Sequence, residues 1–415
     1  MTSNVLTPEM AKQHGVAIPS SGGWISAMIN AIRSHYPELV FAVTTSHPTI
    51  KTGHYDSDGI RHFIIRNKSR LTMEMPCARF VSSIASVIDD FAPDLVHVNG
   101  SEFFYGMAVK KANPSIPTVL SVQGLASLCE DAQQRALPIQ TRLGYSTLRD
   151  FLANFAKRNR SKLERETIAL FSNVIGRTDW DRGNIRAMNP AASYYCVNEL
   201  LRSEFAGVKW DFKNVNSHTV FSNSGGTIGK GTHTLIEAIA YLKSDYPDVQ
   251  ARIPGIEFQT RNHSRLSSTA KGYLNFLHDL VKKLDVSDHV NGLHHLTAQE
   301  MANELTNAHV FALSSHIENS SNSLSEAMLV GTPCVASYCG GTGSMLKDHA
   351  EGLMYPTGDA ALLAEHIRTL FEDKELCQTF SNNARRRAIQ RHNSKSVADN
   401  TMRVYQAVVH GALQK

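Results

Sequence analysis

Two glutamates, Glu318 and Glu326, stand eight residues apart around the polar turn Asn319-Ser320-Ser321-Asn322-Ser323-Leu324. The turn follows the apolar run Ala308 to Leu313 and precedes Gly331-Thr332-Pro333-Cys334-Val335-Ala336, so the stretch reads as strand, loop, short helix, strand. A loop between the carboxyl end of a parallel strand and a helix start is where open α/β sheets bind their ligands. Glu318 would then lie in the crevice, where a carboxylate can meet a reacting carbon, and Glu326 in the first helical turn. The N–H groups that begin the helix would meet an anion. A purely structural alternative is present, because Ser323-x-x-Glu326 also has the form of a capping box with Ser323 at the N-cap.

Gly22-Gly23 opens an amphipathic helix over Ile25 to Ile32, and paired glycines at a helix start let backbone amides approach a phosphate or a sugar; taken alone, a plain turn explains them better. Asp179-Trp180-Asp181 and Asp56-Ser57-Asp58 have a metal-binding Asp-x-Asp form, but such triplets arise often by chance and read better as turn or capping carboxylates. There is no Gly-x-Ser-x-Gly elbow for a nucleophilic serine, no His-x-x-x-His spacing on a helix, and no Gly-x-Gly-x-x-Gly between a strand and a helix. No cofactor and no metal are therefore expected.

The elements that must position these groups are short β-branched strands alternating with helices along the whole chain, an α/β pattern with parallel sheets. Candidate strands run from Val40 to Thr44, His62 to Arg66, Leu95 to Val98, Thr118 to Val122, Asn173 to Gly176 and Ser193 to Val197. A second series begins at Thr219 and continues with Val249 to Ile253, His289 to Leu293, His309 to Leu313, Pro333 to Ala336 and Gly352 to Tyr355. Between them, Val208 to Asn216 reads as an interdomain linker. At 415 residues the chain is too long for one ordinary core. Three segments are expected: an N-terminal domain over 1–210, a second domain over 211–390, and a C-terminal helix over 391–415. The opening Met1 to Pro8 has only two apolar residues after the methionine, so the first strand reads as short or missing, from a truncated start or a sheet that tolerates a stub.

A 42% hydrophobic content and a net charge of +4 fit a soluble globular enzyme and argue against a disordered or nucleic-acid-binding chain. The six cysteines are scattered, which suits thiols in a reducing compartment, and no apolar run approaches a bilayer span. A cytoplasmic location is expected.

The Glu-x7-Glu spacing, the Asn-Ser turn and the Gly-x-Pro strand together resemble the signature of retaining nucleotide-sugar glycosyltransferases of family 4, the "group 1" family. Lys230-Gly231 after the loop Ser224-Gly225-Gly226, Pro93 to Gly100, Gln123-Gly124 and Cys339-Gly340-Gly341 are similar to further motifs of that family. The resemblance implies the GT-B fold, two Rossmann-like domains facing across a central cleft, with the last helix returning to the first domain. It also implies roles. Glu318 and Lys230 would be catalytic, Glu326 would hold the ribose hydroxyls, and Asn319, Asn322, Ser323 and Leu324 would cradle the diphosphate. Gly22, Gly23 and Gln123 would bind the donor from the first domain. Ser222-Asn223-Ser224 stands where the family has an arginine, and Arg177 is a candidate for its place. Gln123 replaces the family's histidine, and Gly343-Ser344 its Pro-Glu.

The activity implied by the resemblance is that of a metal-independent hexosyltransferase, which moves a hexose, with retention, from an NDP-sugar, in the first place a UDP-sugar. The acceptor would be a glycan or a lipid-linked hydroxyl, as in bacterial surface polysaccharide or glycoconjugate synthesis. A sugar-nucleotide epimerase or phosphorylase, or a non-catalytic sugar-nucleotide-binding subunit, would use the same pocket. Residues 142–165 carry seven Lys and Arg against Asp150 and Glu164, with Phe151, Leu152 and Phe155 at helical spacing. This reads either as a solvated helix with one core face or as a basic amphipathic surface for an anionic membrane, which would put the protein peripherally on the inner face.

Overall fold

The computed structural model describes the chain apart from residues 4–5, 18–22, 68–76, 139–140, 142–147, 223–224, 257–267 and 414–415. It divides into two compact units, each with its own sheet. The first comprises Met1–Ser127, Lys157–Leu200 and His392–Lys415, the second Leu128–Ala156 and Leu201–Arg391.

The first unit carries β1 (Thr2–Ser3), β2 (Phe41–His47), β3 (Gly53–Ser57), β4 (Ile60–Arg66), β5 (Val96–Asn99), β6 (Thr118–Ser121), β7 (Asn173–Gly176) and β8 (Ser193–Cys196) in the order β3-β4-β2-β1-β5-β6-β7-β8. All neighbours are parallel except β3 and β4, an antiparallel hairpin at the sheet edge. The Asp58-Gly59 turn joins them, with both residues at positive φ, the form that favours this dipeptide. β1 is a two-residue stub held between β2 and β5 through Thr2. The helix Ser394–Leu413 belongs to this unit, where Tyr405 donates to or accepts from His97 Nδ1 at 2.7 Å and Tyr36 donates to Asp399 at 2.9 Å.

The second unit carries β9 (Asn216–Ser222), β10 (Gln250–Pro254), β11 (Val290–Leu293), β12 (Ala308–Leu313), β13 (Cys334–Tyr338) and β14 (Leu353–Pro356), all parallel, in the order β11-β10-β9-β12-β13-β14. Every residue of β12 is buried, as expected of a central strand covered on both faces by helices. The helix Asn322–Val330 has a polar first turn and an apolar second half, Ala327 to Val330. From Leu324 to Val330 every residue is buried.

The stretch 208–216 differs from its reading as a linker. Trp210 is buried in the second unit's core, its backbone N–H donates to Val330 O at 2.9 Å and its indole N–H to Ala308 O at 2.8 Å. Such an anchor cannot be a free connection, and the chain passes between units earlier, at Leu200–Leu201.

Candidate active site

In each sheet the strand order reverses once, and loops leaving the carboxyl ends there diverge to form a crevice. In the second unit the reversal lies between β9 and β12. The two loops that diverge at this point carry Lys230 and Glu318.

Their backbones are stitched together. His316 N–H donates to Gly229 O at 2.8 Å, and Ser314 Oγ to Lys230 O at 3.0 Å. Gly231 must be glycine: its φ is +65°, and a Cβ there would overlap the Ser314 carbonyl. The second glycine pair acts on the other side of the loop. Gly341 N–H donates to Glu318 O at 2.9 Å, while Gly340, at φ +49°, passes so close to that carbonyl that a side chain would not fit.

Glu318 and Lys230 meet directly. Lys230 Nζ donates to Glu318 Oε1 at 2.7 Å, and Ser315 Oγ donates to the same oxygen at 2.6 Å. The carboxylate is 11% exposed and the lysine 37%, so the pair has one wet face. Nothing in the residue pattern singles out Ser315 in advance.

The next helix begins one turn on. Its N-cap is Ser321, whose hydroxyl accepts from Leu324 N–H at 3.3 Å; Asn322 is exposed, Ser323 half-buried and Asn319 buried beside them. The capping box weighed as the structural alternative at Ser323 is not formed. Glu326 turns instead to Arg202, which donates Nε to Oε1 and Nη2 to Oε2, each at 2.9 Å. Burial pushes the Glu326 carboxyl up to about 7, against the pull of that guanidinium.

Two of the four residues expected on the donor side of the first unit, Arg177 and Gln123, also come together. Arg177 is buried against Glu199 at 2.6 Å, and its Nη2 donates to Gln123 O at 2.6 Å. The guanidinium is thus spent inside the unit, on a carboxylate and on the carbonyl of the very residue expected beside the sugar. Gly23 is the first residue of the helix Gly23–His35, and Gly22 lies outside the described residues, as do Asn223 and Ser224 at the missing-arginine position.

The Asp-x-Asp triplets have structural partners. Asp181 is buried, accepts from Arg177 N–H at 2.7 Å and bonds Thr178, the N-cap of the helix Asp179–Met188. Asp179 points outward to Arg182 at 2.9 Å, and Asp56 pairs with Arg61 at 3.1 Å. Among the described residues no cluster of three metal-type ligands occurs. A cavity of about 670 Å³ in the first unit is lined by Val40, Ile88, Leu95 and Tyr405. It opens at the amino ends of the strands, away from the crevice, and is not the site.

Residues 213–387 match the family model described as glycosyl transferases group 1. The match lies within the second unit, which is thus similar to the group 1 glycosyltransferases, and the fold is GT-B. It is 28% identical over 185 residues to glycogen synthase of Mycobacterium tuberculosis, an alignment covering 45% of this chain and 41% of that one. The chain thus spans less than half the length of this curated relative. Sucrose-phosphate synthase from Thermosynechococcus elongatus superposes with a TM-score of 0.71 at 18% identity, covering 94% of this chain and 95% of that one. Anabaena Alr3699/HepE in complex with UDP-glucose superposes at 0.66 and 17% identity, covering 94% and 97%.

Proposed function

We propose that this protein is a retaining, metal-independent hexosyltransferase that takes a hexose from a UDP-sugar and passes it to the hydroxyl of a glycan or lipid-linked acceptor. The observation that carries the reading is the Glu318–Lys230 contact at the strand-order reversal, one turn before a helix start. A UDP donor is supported by the glucosyl nucleotide named in the HepE complex.

The chemistry needed is leaving-group stabilisation. As the bond from the anomeric carbon to the phosphate oxygen breaks, positive charge grows on the sugar and negative charge on the diphosphate. Lys230 would leave Glu318 for the diphosphate, joined by the N–H groups at Asn322 and Ser323. Glu318, freed of its cation, would face the sugar. Preorganised donors of this kind are worth about 10²- to 10³-fold each. Glu326 would accept the ribose hydroxyls, while Gly22, Gly23 and Gln123 would act from the first unit. Arg177 would contribute by fixing the Gln123 loop.

For the acceptor side, the exposed cations Arg160, Lys162 and Arg165 on the helix Leu148–Ala169 favour an anionic surface, and the protein would work peripherally at the cytoplasmic face. The side chains of Phe151, Leu152 and Phe155 lie outside the described residues. Among the described residues no helix is long and apolar enough to cross a membrane.

The test is a panel of UDP-, GDP- and ADP-hexoses, with and without acceptor glycans, in EDTA. Nucleotide release with retained anomeric configuration in the product supports the reading. Activity abolished by EDTA and restored by manganese would refute the metal-independent mechanism, and release from no sugar nucleotide would refute the transferase.

A further inference from the structure

Glu326 is the most deeply buried carboxylate of the candidate site, with 4% of its side chain exposed, and it has a dedicated partner 124 positions earlier in the chain. That partner is itself held in place. Arg202 caps the short helix Ser203–Ala206, its guanidinium lies over the Phe205 ring at 4.8 Å, and its Nη2 approaches Met301 Sδ at 3.7 Å. The planar fork is therefore fixed on one face by an aromatic ring and at one edge by a thioether, with both arms aimed at the carboxylate.

A carboxylate offers about four lone-pair positions, and a bidentate arginine takes two. The remaining two suit the vicinal hydroxyls of a ribose, which both donate. We propose that Arg202 is a positioning residue that holds Glu326 ionised and in one orientation, so that it accepts both ribose hydroxyls of a bound nucleoside diphosphate. The proposal rests on the reading of Glu326 as the ribose-binding group.

The physical need for Arg202 comes from the surroundings. A carboxyl so buried prefers to be protonated, and a protonated carboxyl offers a donor where the ribose also donates. The groups facing it from the packed elements give little help. Glu204, next to Arg202, pushes the wrong way. On the helix Ala298–Asn307, Glu300 is engaged by Thr297 and Glu304 by Arg252. On the helix Lys374–Arg391, Arg385 donates to the carbonyls of Val208 and Leu329. On β13, burial raises the Cys334 thiol, which stays protonated. Arg202 is the cation that its contacts dedicate to Glu326.

Binding of UDP, GDP and ADP to the full chain, measured calorimetrically from pH 5.5 to 9, tests this. Wild-type affinity for the preferred nucleotide should fall as pH drops through about 7, where Glu326 takes up its proton. Arg202→Gln should move that midpoint up by about one pH unit, and so lose about threefold at pH 7.5 and about tenfold at pH 6 while approaching wild type at pH 9. Arg202→Lys keeps the charge without the fork and should shift it less. Thermal melting of each variant establishes that it is folded. A uniform loss at every pH in both variants, with the wild-type midpoint, would overturn the proposal and leave Arg202 a packing residue. Glu326→Gln separates the underlying reading: binding as tight as wild type at pH 8 would mean that Glu326 does not touch ribose at all.

Discussion

Each unit places one ion pair just beyond the carboxyl end of a parallel strand, Arg177–Glu199 after β7 at 2.6 Å and Lys230–Glu318 after β12 at 2.7 Å, yet their surroundings differ. Arg177 is 6% exposed, and its Nη2 donates to the carbonyls of Val122 and Gln123, which holds the guanidinium inside the unit. Lys230 is a flexible, partly wet point charge on a carboxylate oxygen shared with Ser315. An arginine buried in a fork of fixed acceptors is scaffold. A half-exposed lysine on a loop can exchange one anion for another, which is what a departing diphosphate requires.

The largest effect should come from breaking the scaffold pair. Arg177→Met leaves Glu199, with 14% of its side chain exposed, without its cation and should cost about 3 to 5 kcal/mol of stability, read by denaturant or thermal unfolding. Lys230→Ala should do the reverse: a loss of about 10²-fold or more in kcat/KM, with a smaller stability change than Arg177→Met, since Ser315 still donates to Glu318 and the lysine is partly solvated. If both variants lose stability and activity in the same proportion, the contrast between the pairs fails. A smaller effect is expected from Gly231→Ala, where positive φ and the Ser314 carbonyl both oppose a Cβ. It should destabilise by about 1 to 3 kcal/mol and displace Lys230, lowering kcat more than donor affinity.

The smallest effect is a pH slope that the two units share. His97 in the first unit and His233 in the second are both pushed down to about 3, each chiefly by burial. Each stays neutral when folded while its unfolded form takes a proton near 6.5, so this stability is complete above about 6.5 and is lost progressively as pH falls toward 3. His97→Gln and His233→Gln should each flatten the melting temperature between pH 4 and 6.5. An unchanged slope in both would mean that other groups dominate acid unfolding.

Most strands were legible because β-branched, apolar runs are what a covered parallel sheet needs. β3 was not, since Gly53-His54-Tyr55-Asp56-Ser57 lies at an exposed edge and has no apolar alternation. In the loop, three serines compete for one N-cap, and spacing alone favoured Ser323 over Ser321, which the helix uses. Lys230 and Glu318 stood out by type and place. Arg202 did not, because nothing local marks an arginine that will meet a glutamate across a fold.

In the proposed mechanism Glu318 serves the transfer step and not donor binding. Single-turnover sugar transfer and equilibrium donor binding, measured side by side for wild type and Glu318→Gln, address it directly. The transfer rate should fall by about 10²-fold or more, with donor affinity within about threefold of wild type. Near wild-type transfer, or a loss carried wholly by donor affinity, would contradict it.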